Sequence, residues 1–195
     1  MRFSFLVLIA TLLIVTACSE EQSGITETQN AFWENIQQHC GNAYSGTLGD
    51  ATPHYSAVAN AETFTLHFFN CTENLTHIAL HVDDNRSRNL MLTKTGHTLR
   101  LKHDHRYENG SEEEISQYGG EAPGTGLSHR QIFWADGFTA RILPQRYDNF
   151  WFLDMMNETT FAYGVHWPKE GHSIRLEFDI ANPIETPPAP WGYED

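Results

Sequence analysis

The sequence predicts a mainly β protein: an antiparallel meander of about eight to ten short strands, closed into an up-and-down barrel behind one N-terminal helix. Three observations carry this. Apolar residues recur at helical spacing in one place only, Phe32, Trp33, Ile36 and Cys40. After Gly41 the period changes to two and stays there as far as Ile180. Clusters of Gly, Asn, Asp and Pro divide that stretch into short segments.

Taken from the start, Met1-Arg2 precedes an apolar run from Phe3 to Val15. The run is too short to cross a bilayer, which needs about 20 helical residues, and reads as the core of an export signal over residues 1–17. It ends Val15-Thr16-Ala17-Cys18, which resembles the lipobox of bacterial lipoproteins. That resemblance implies lipidation of Cys18, a membrane anchor, and, with Ser19 rather than Asp next, an outer-membrane location facing the periplasm. Residues 18–27 are polar and read as a tether, residues 28–182 as one barrel domain, and residues 183–195 as a Pro-rich tail.

Thr26 and Gln29 have the spacing of a capping box, so a helix of about three turns is expected to begin there and to stop at Gly41. The expected strands are Ala43–Leu48, Thr63–Cys71, Thr76–Val82, Asn89–Thr95, Thr98–Tyr107, His129–Ala135, Phe138–Leu143, Asn149–Met156, Thr160–Trp167 and Ser173–Ile180. The last is the clearest: Ile174, Leu176, Phe178 and Ile180 alternate with Ser173, Arg175, Glu177 and Asp179. Closing such a meander removes its exposed edges, which favours a lipocalin-like barrel over the alternative, a β-sandwich. Glu108–Leu127 reads as one long glycine-rich loop. Cys40 and Cys71 form an even pair in an exported chain and are expected to be disulfide-bonded, two buried thiols being the alternative.

The formal charge of −13 argues against nucleic acid as a partner, and loss of Arg2 with the signal makes the mature chain more negative still. The densest polar chemistry lies between Leu99 and Gly120. Leu99, Leu101, His103, His105 and Tyr107 share one strand parity, and Arg100, Lys102, Asp104 and Arg106 the other. An apolar face thus ends in two histidines, which in a barrel would look inward. His103 and His105 are spaced as two ligands of a tetrahedral metal, but nothing in the sequence completes such a set, and no metal or other cofactor is assigned. The run of cations Arg86, Arg88, Lys94, Arg100, Lys102 and Arg106 could meet an anion or pair with neighbouring acids such as Asp83, Asp104 and Glu112. Asp104 to Glu112 does not meet the spacing of an EF-hand, and Ser128 beside His129 lacks the GxSxG elbow of a serine hydrolase.

Four pieces carry a family resemblance: FW-x₆-CG-x-AYSG (Phe32–Gly46), His81–Glu113 with its RSR and LKHDHR motifs, Tyr118–Gly120, and PPAPWG (Pro187–Gly192). They are similar to an uncharacterised family of exported proteobacterial proteins. In that pattern HDHR is followed by His-Glu-Asp-Gly, whereas here Tyr107-Glu108-Asn109-Gly110 stands in its place, which weakens a metal or general base there. The resemblance implies export and a single domain and carries no catalytic residues.

Together these readings predict a lipid-anchored envelope barrel that binds a small or anionic ligand, with His103, His105, Arg100, Arg106 and Tyr118 at the site, no catalytic residue assigned and enzymatic activity left open. The alternatives are a structural or interaction module of the envelope, using its outer face or tail, and a metal-dependent hydrolase.

Overall fold

The computed structural model describes residues 24–52 and 56–193, so residues 1–17, Cys18 and most of the tether lie outside the described residues. In chain order the elements are α1 (Glu27–Gln37), β1 (Ala43–Ala51), α2 (Ser56–Ala59), β2 (Phe64–Cys71), β3 (Leu75–Val82), β4 (Asn85–Lys94), β5 (Leu99–His105), β6 (Tyr118–Glu121), β7 (Arg130–Ala135), α3 (Gly137–Ile142), a 3₁₀ turn (Pro144–Arg146), β8 (Phe150–Asn157), β9 (Thr160–Trp167) and β10 (His172–Asp179). Each strand pairs antiparallel with the next, and β1 pairs with β10, which closes the barrel. The architecture is therefore the expected closed meander, with ten strands, rather than a sandwich.

One set of strand side chains fills the interior. Leu66, Phe68, Ile78, Leu90, Leu92, Leu99, Leu101, Phe133, Leu153 and Phe161 have no solvent exposure. Most of them pack toward the end that α1 closes, while Leu90 also faces a cavity at the other end. The Thr26 side chain accepts from Gln29 N and Gln29 Oε1 accepts from Thr26 N, so the expected capping box starts the helix. Phe32, Trp33 and Ile36 then enter the core, and the buried Gln29 Nε2 donates to Thr98 Oγ1 at 3.0 Å. Lys94 Nζ reaches Asn30 Oδ1 and Gln37 Nε2 reaches Thr76 Oγ1, fastening both flanks of the helix to the strand ends.

Cys40, just past α1, is bonded to Cys71 at the end of β2, with 6.1 Å between their Cα atoms and a sequence separation of 31. In the chain-entropy picture a loop of that length contributes roughly 3–4 kcal/mol. The double substitution Cys40→Ser, Cys71→Ser is expected to lower the calorimetric midpoint by about 10 °C. An unchanged midpoint would show that α1 holds its place without the link.

Two expectations are corrected. Phe138–Leu143 is not a strand but lies largely in α3, because Asp136 caps a helix there: its carboxylate accepts from Thr139 N at 2.9 Å. The stretch Glu108–Leu127 is not one loop, since Tyr118–Glu121 forms β6 and joins β5 to β7. Thr139 secures the junction, donating to the Gly119 carbonyl oxygen and accepting from Gly119 N, both at 2.8 Å.

The tail from Asn182 runs back over the outer wall as a strap. Ile184 N donates to the Ala43 carbonyl, Arg86 donates to the Ala189 carbonyl, and Trp191 N donates to the Arg86 carbonyl. Tyr193 ends the strap, donating its hydroxyl to Asp104 Oδ2 at 2.6 Å and lying edge-on to Phe69 and His77. Burial, followed by the Asp104 carboxylate, pushes this phenol up to about 12. His77 faces outward by strand parity and is nonetheless only 6% exposed, because the strap lies on it.

Candidate functional site

The half of the barrel away from α1 is not filled. Between the strands lies a cavity of about 370 Å³, at the low end of the range of small-molecule sites. Its wall is apolar and aromatic: Leu80, Val82, Leu90, Trp151, Val165, Trp167, Ile174 and Leu176. The open end is rimmed by Val58 of α2, Ile115 of the β5–β6 connection, and Leu143 and Gln145 of the segment after α3. Ile115 is half exposed, at 49%.

Polar groups line one side. His103 and His105 sit two residues apart on β5, and Tyr118 pairs with His103 across the β5–β6 register. The His103 ring lies flat on Tyr118, with centroids 4.6 Å apart and planes 9° off parallel, and tilts against Trp151. Its Nδ1 lies 3.1 Å from the Tyr118 carbonyl oxygen, which can only accept, so Nδ1 carries the proton. Nε2 is then the acceptor, and the Tyr163 hydroxyl donates to it at 2.8 Å. The Tyr118 hydroxyl in turn meets His105 Nε2 at 2.9 Å.

This arrangement holds both imidazoles neutral. Burial, then the neighbouring His105, pulls His103 down to about 3. Burial and the field of Arg88 pull His105 down to about 4, against a smaller opposing pull from Asp104. Both ring nitrogens of His103 are occupied within the wall, so this residue positions Tyr118 and Tyr163. The groups left to meet a ligand are Arg88, Arg146, Gln145, Asn149 and the second nitrogen of His105.

The five residues singled out from the sequence are separated by the sheet. His103, His105 and Tyr118 line the cavity. Arg100 and Arg106 do not: they have the opposite parity and stand on the outer wall. Arg100 Nη2 pairs with Glu121 at 2.6 Å, and Arg106 Nε pairs with the fully buried Asp104 at 2.8 Å, with its guanidinium over the Tyr193 ring. The cations that do line the cavity are Arg88 and Arg146. Arg88 was legible, since it shares the parity of Leu90 and Leu92 on β4. Asn149 and Tyr163 were legible by the same rule, in phase with Trp151 and Leu153 and with Phe161 and Val165, whereas Arg146, in the 3₁₀ turn, carried no such signal.

Among the described residues no group of three or more His, Cys, Asp or Glu is placed to hold a metal ion. Fold and cavity together define a closed ten-stranded antiparallel barrel, plugged at one end by a helix and hollow at the other. No family model, curated protein or solved structure matches the chain.

Proposed function

We propose that this barrel is a binding protein for a small, largely apolar molecule that enters at the end opposite α1. The observation that supports it most is the contrast between the two halves of one interior. Below, aromatic and aliphatic side chains fill the barrel. Above, side chains of the same kind enclose a cavity beside a fixed array of hydrogen-bonding groups, the neutral His103 and His105 among them. A fold that packs one half to completion has no structural need of the other cavity. The Val15-Thr16-Ala17-Cys18 segment supports an anchored envelope protein, held at the outer membrane by lipid on Cys18 and facing the periplasm. The interaction-module alternative has less behind it, because Pro187–Tyr193 is engaged by the barrel's own wall.

The test uses decanol as an uncharged apolar probe and reads tryptophan fluorescence, since Trp151 and Trp167 are in the cavity wall. Saturable binding is expected, weakened about tenfold or more by Val165→Phe, which projects extra volume into the cavity. Failure of both decanol and its carboxylate to bind, or binding indifferent to Val165→Phe, would sink this reading.

A further inference from the structure

The chain has 25 acidic residues against 12 basic ones, yet among the described residues no Asp or Glu lines the cavity, and two arginines do. The two are not equivalent. Arg146 Nη1 is paired with Glu170 at 2.6 Å, and its guanidinium lies 5.4 Å from the Trp167 ring centroid. Its charge is answered by the protein. Arg88 is half-buried at the mouth, and among the described residues it makes no ion pair. Its one hydrogen bond is from Nη1 to the neutral Asn85 Oδ1, at 3.0 Å. A guanidinium has five N–H donors in a planar fork shaped for an oxyanion, so most of that capacity is unused.

The surroundings make the unused capacity matter. Arg88 lies opposite His105 in the β4–β5 register and two residues from the fully buried Leu90, so the cation stands where the polar mouth meets the apolar interior. Asn149, which is 3% exposed and also lines the cavity, has a buried Oδ1 with no hydrogen-bond partner among the described residues. Its amide can turn to present nitrogen or oxygen to a polar head.

We propose, resting on the binding function above, that the ligand is an amphipathic monoanion: an apolar body between Leu90, Trp151 and Leu176, ending in one oxyanion gripped by Arg88. One unpaired cation matches one negative charge. The paired Arg146 and the neutral His105 flank the head without demanding a second.

The experiment compares decanoate with decanol by calorimetric titration on the wild-type protein, on Arg88→Met, and on Arg100→Met as an outer-wall control. Decanoate is expected to bind at least about tenfold tighter than decanol, as a charge-assisted contact at a partly desolvated site implies. Arg88→Met keeps the apolar stem and is expected to erase that preference. Arg100→Met is expected to change neither. Equal binding of acid and alcohol to the wild type, or a preference that survives Arg88→Met, overturns this inference while leaving the cavity as an apolar site. Failure of both probes to bind removes the binding function itself, and this inference with it.

Discussion

Gly120→Ala is expected to abolish the fold. A Cβ built on Gly120 coincides with the carbonyl oxygen of Trp134 and comes within 3.1 Å of Asp136 N. Both are backbone atoms of β7 and its exit, so no rotamer change relieves the overlap. The place in the barrel makes the overlap decisive. β6 has only four residues, and its ladder with β7 is just Gly120 with Ala135 and Glu121 with Trp134. In the closed strand order it is the strand that joins β5 to β7. Gly119 beside it has φ +144, where a Cβ would overlap the Leu101 carbonyl oxygen, so the chain cannot retreat toward β5 either. A cost beyond about 4 kcal/mol follows from such an overlap at a seam, enough to remove most of the stability of a domain this size. The measurement is the soluble yield and thermal melt of Gly120→Ala beside Gly137→Ala, whose added Cβ meets nothing within 4 Å. Wild-type melting of Gly120→Ala would mean that β6 does not close the barrel as described.

Mild acid is expected to weaken the protein well above the range where carboxylates titrate. His103 is held at about 3, and His105 and His81 at about 4, against 6.5 for an ordinary histidine, burial being the first cause in each. The sign follows from proton counting. Between pH 6.5 and about 4 the unfolded chain carries a proton on each of these rings and the folded chain does not, so the unfolded state gains as the pH falls. The stabilisation is complete above 6.5 and is lost going down, at roughly 1.4 kcal/mol per pH unit for each group. Over pH 7 to 5 the total reaches several kcal/mol. Urea midpoints across that interval should fall steadily, and His103→Gln, which removes one of these titrations, should flatten the slope. A midpoint constant from pH 7 to 5 would show that these rings are protonated in the folded protein. His81 adds a local reason, since its buried Nε2 has no hydrogen-bond partner among the described residues and Arg86 stands near it as a second positive charge.

The fold was legible where a local pattern had one physical solution. Ile174, Leu176 and Phe178 alternating with charged residues could only be a strand with one dry face, and β10 lies where that pattern put it. Phe138–Leu143 was misread because a short apolar-polar run suits a strand or one turn of helix. The deciding interaction, Asp136 capping Thr139 N, is a matter of conformation as much as residue type. β6 was hidden for the opposite reason: Tyr-Gly-Gly signals a turn, and only pressure from two neighbouring backbones explains glycines inside a strand. The site was half legible. Parity on β5 separated His103 and His105 from Arg100 and Arg106, and the same rule applied to β4 would have selected Arg88 in their place.

By itself the sequence determined which faces of each strand are dry, where the leading helix begins and ends, and which two cysteines were available to meet. Those properties depend on neighbours a few residues away, through backbone geometry and the transfer of apolar groups out of water. The tertiary structure alone decided that the interior is full at one end and hollow at the other, that Arg146 spends its charge on Glu170 while Arg88 does not, and that Tyr193 returns to cover Asp104. These depend on how ten strands share a circumference and on which charges arrive beside each other from distant parts of the chain, and no local pattern encodes either.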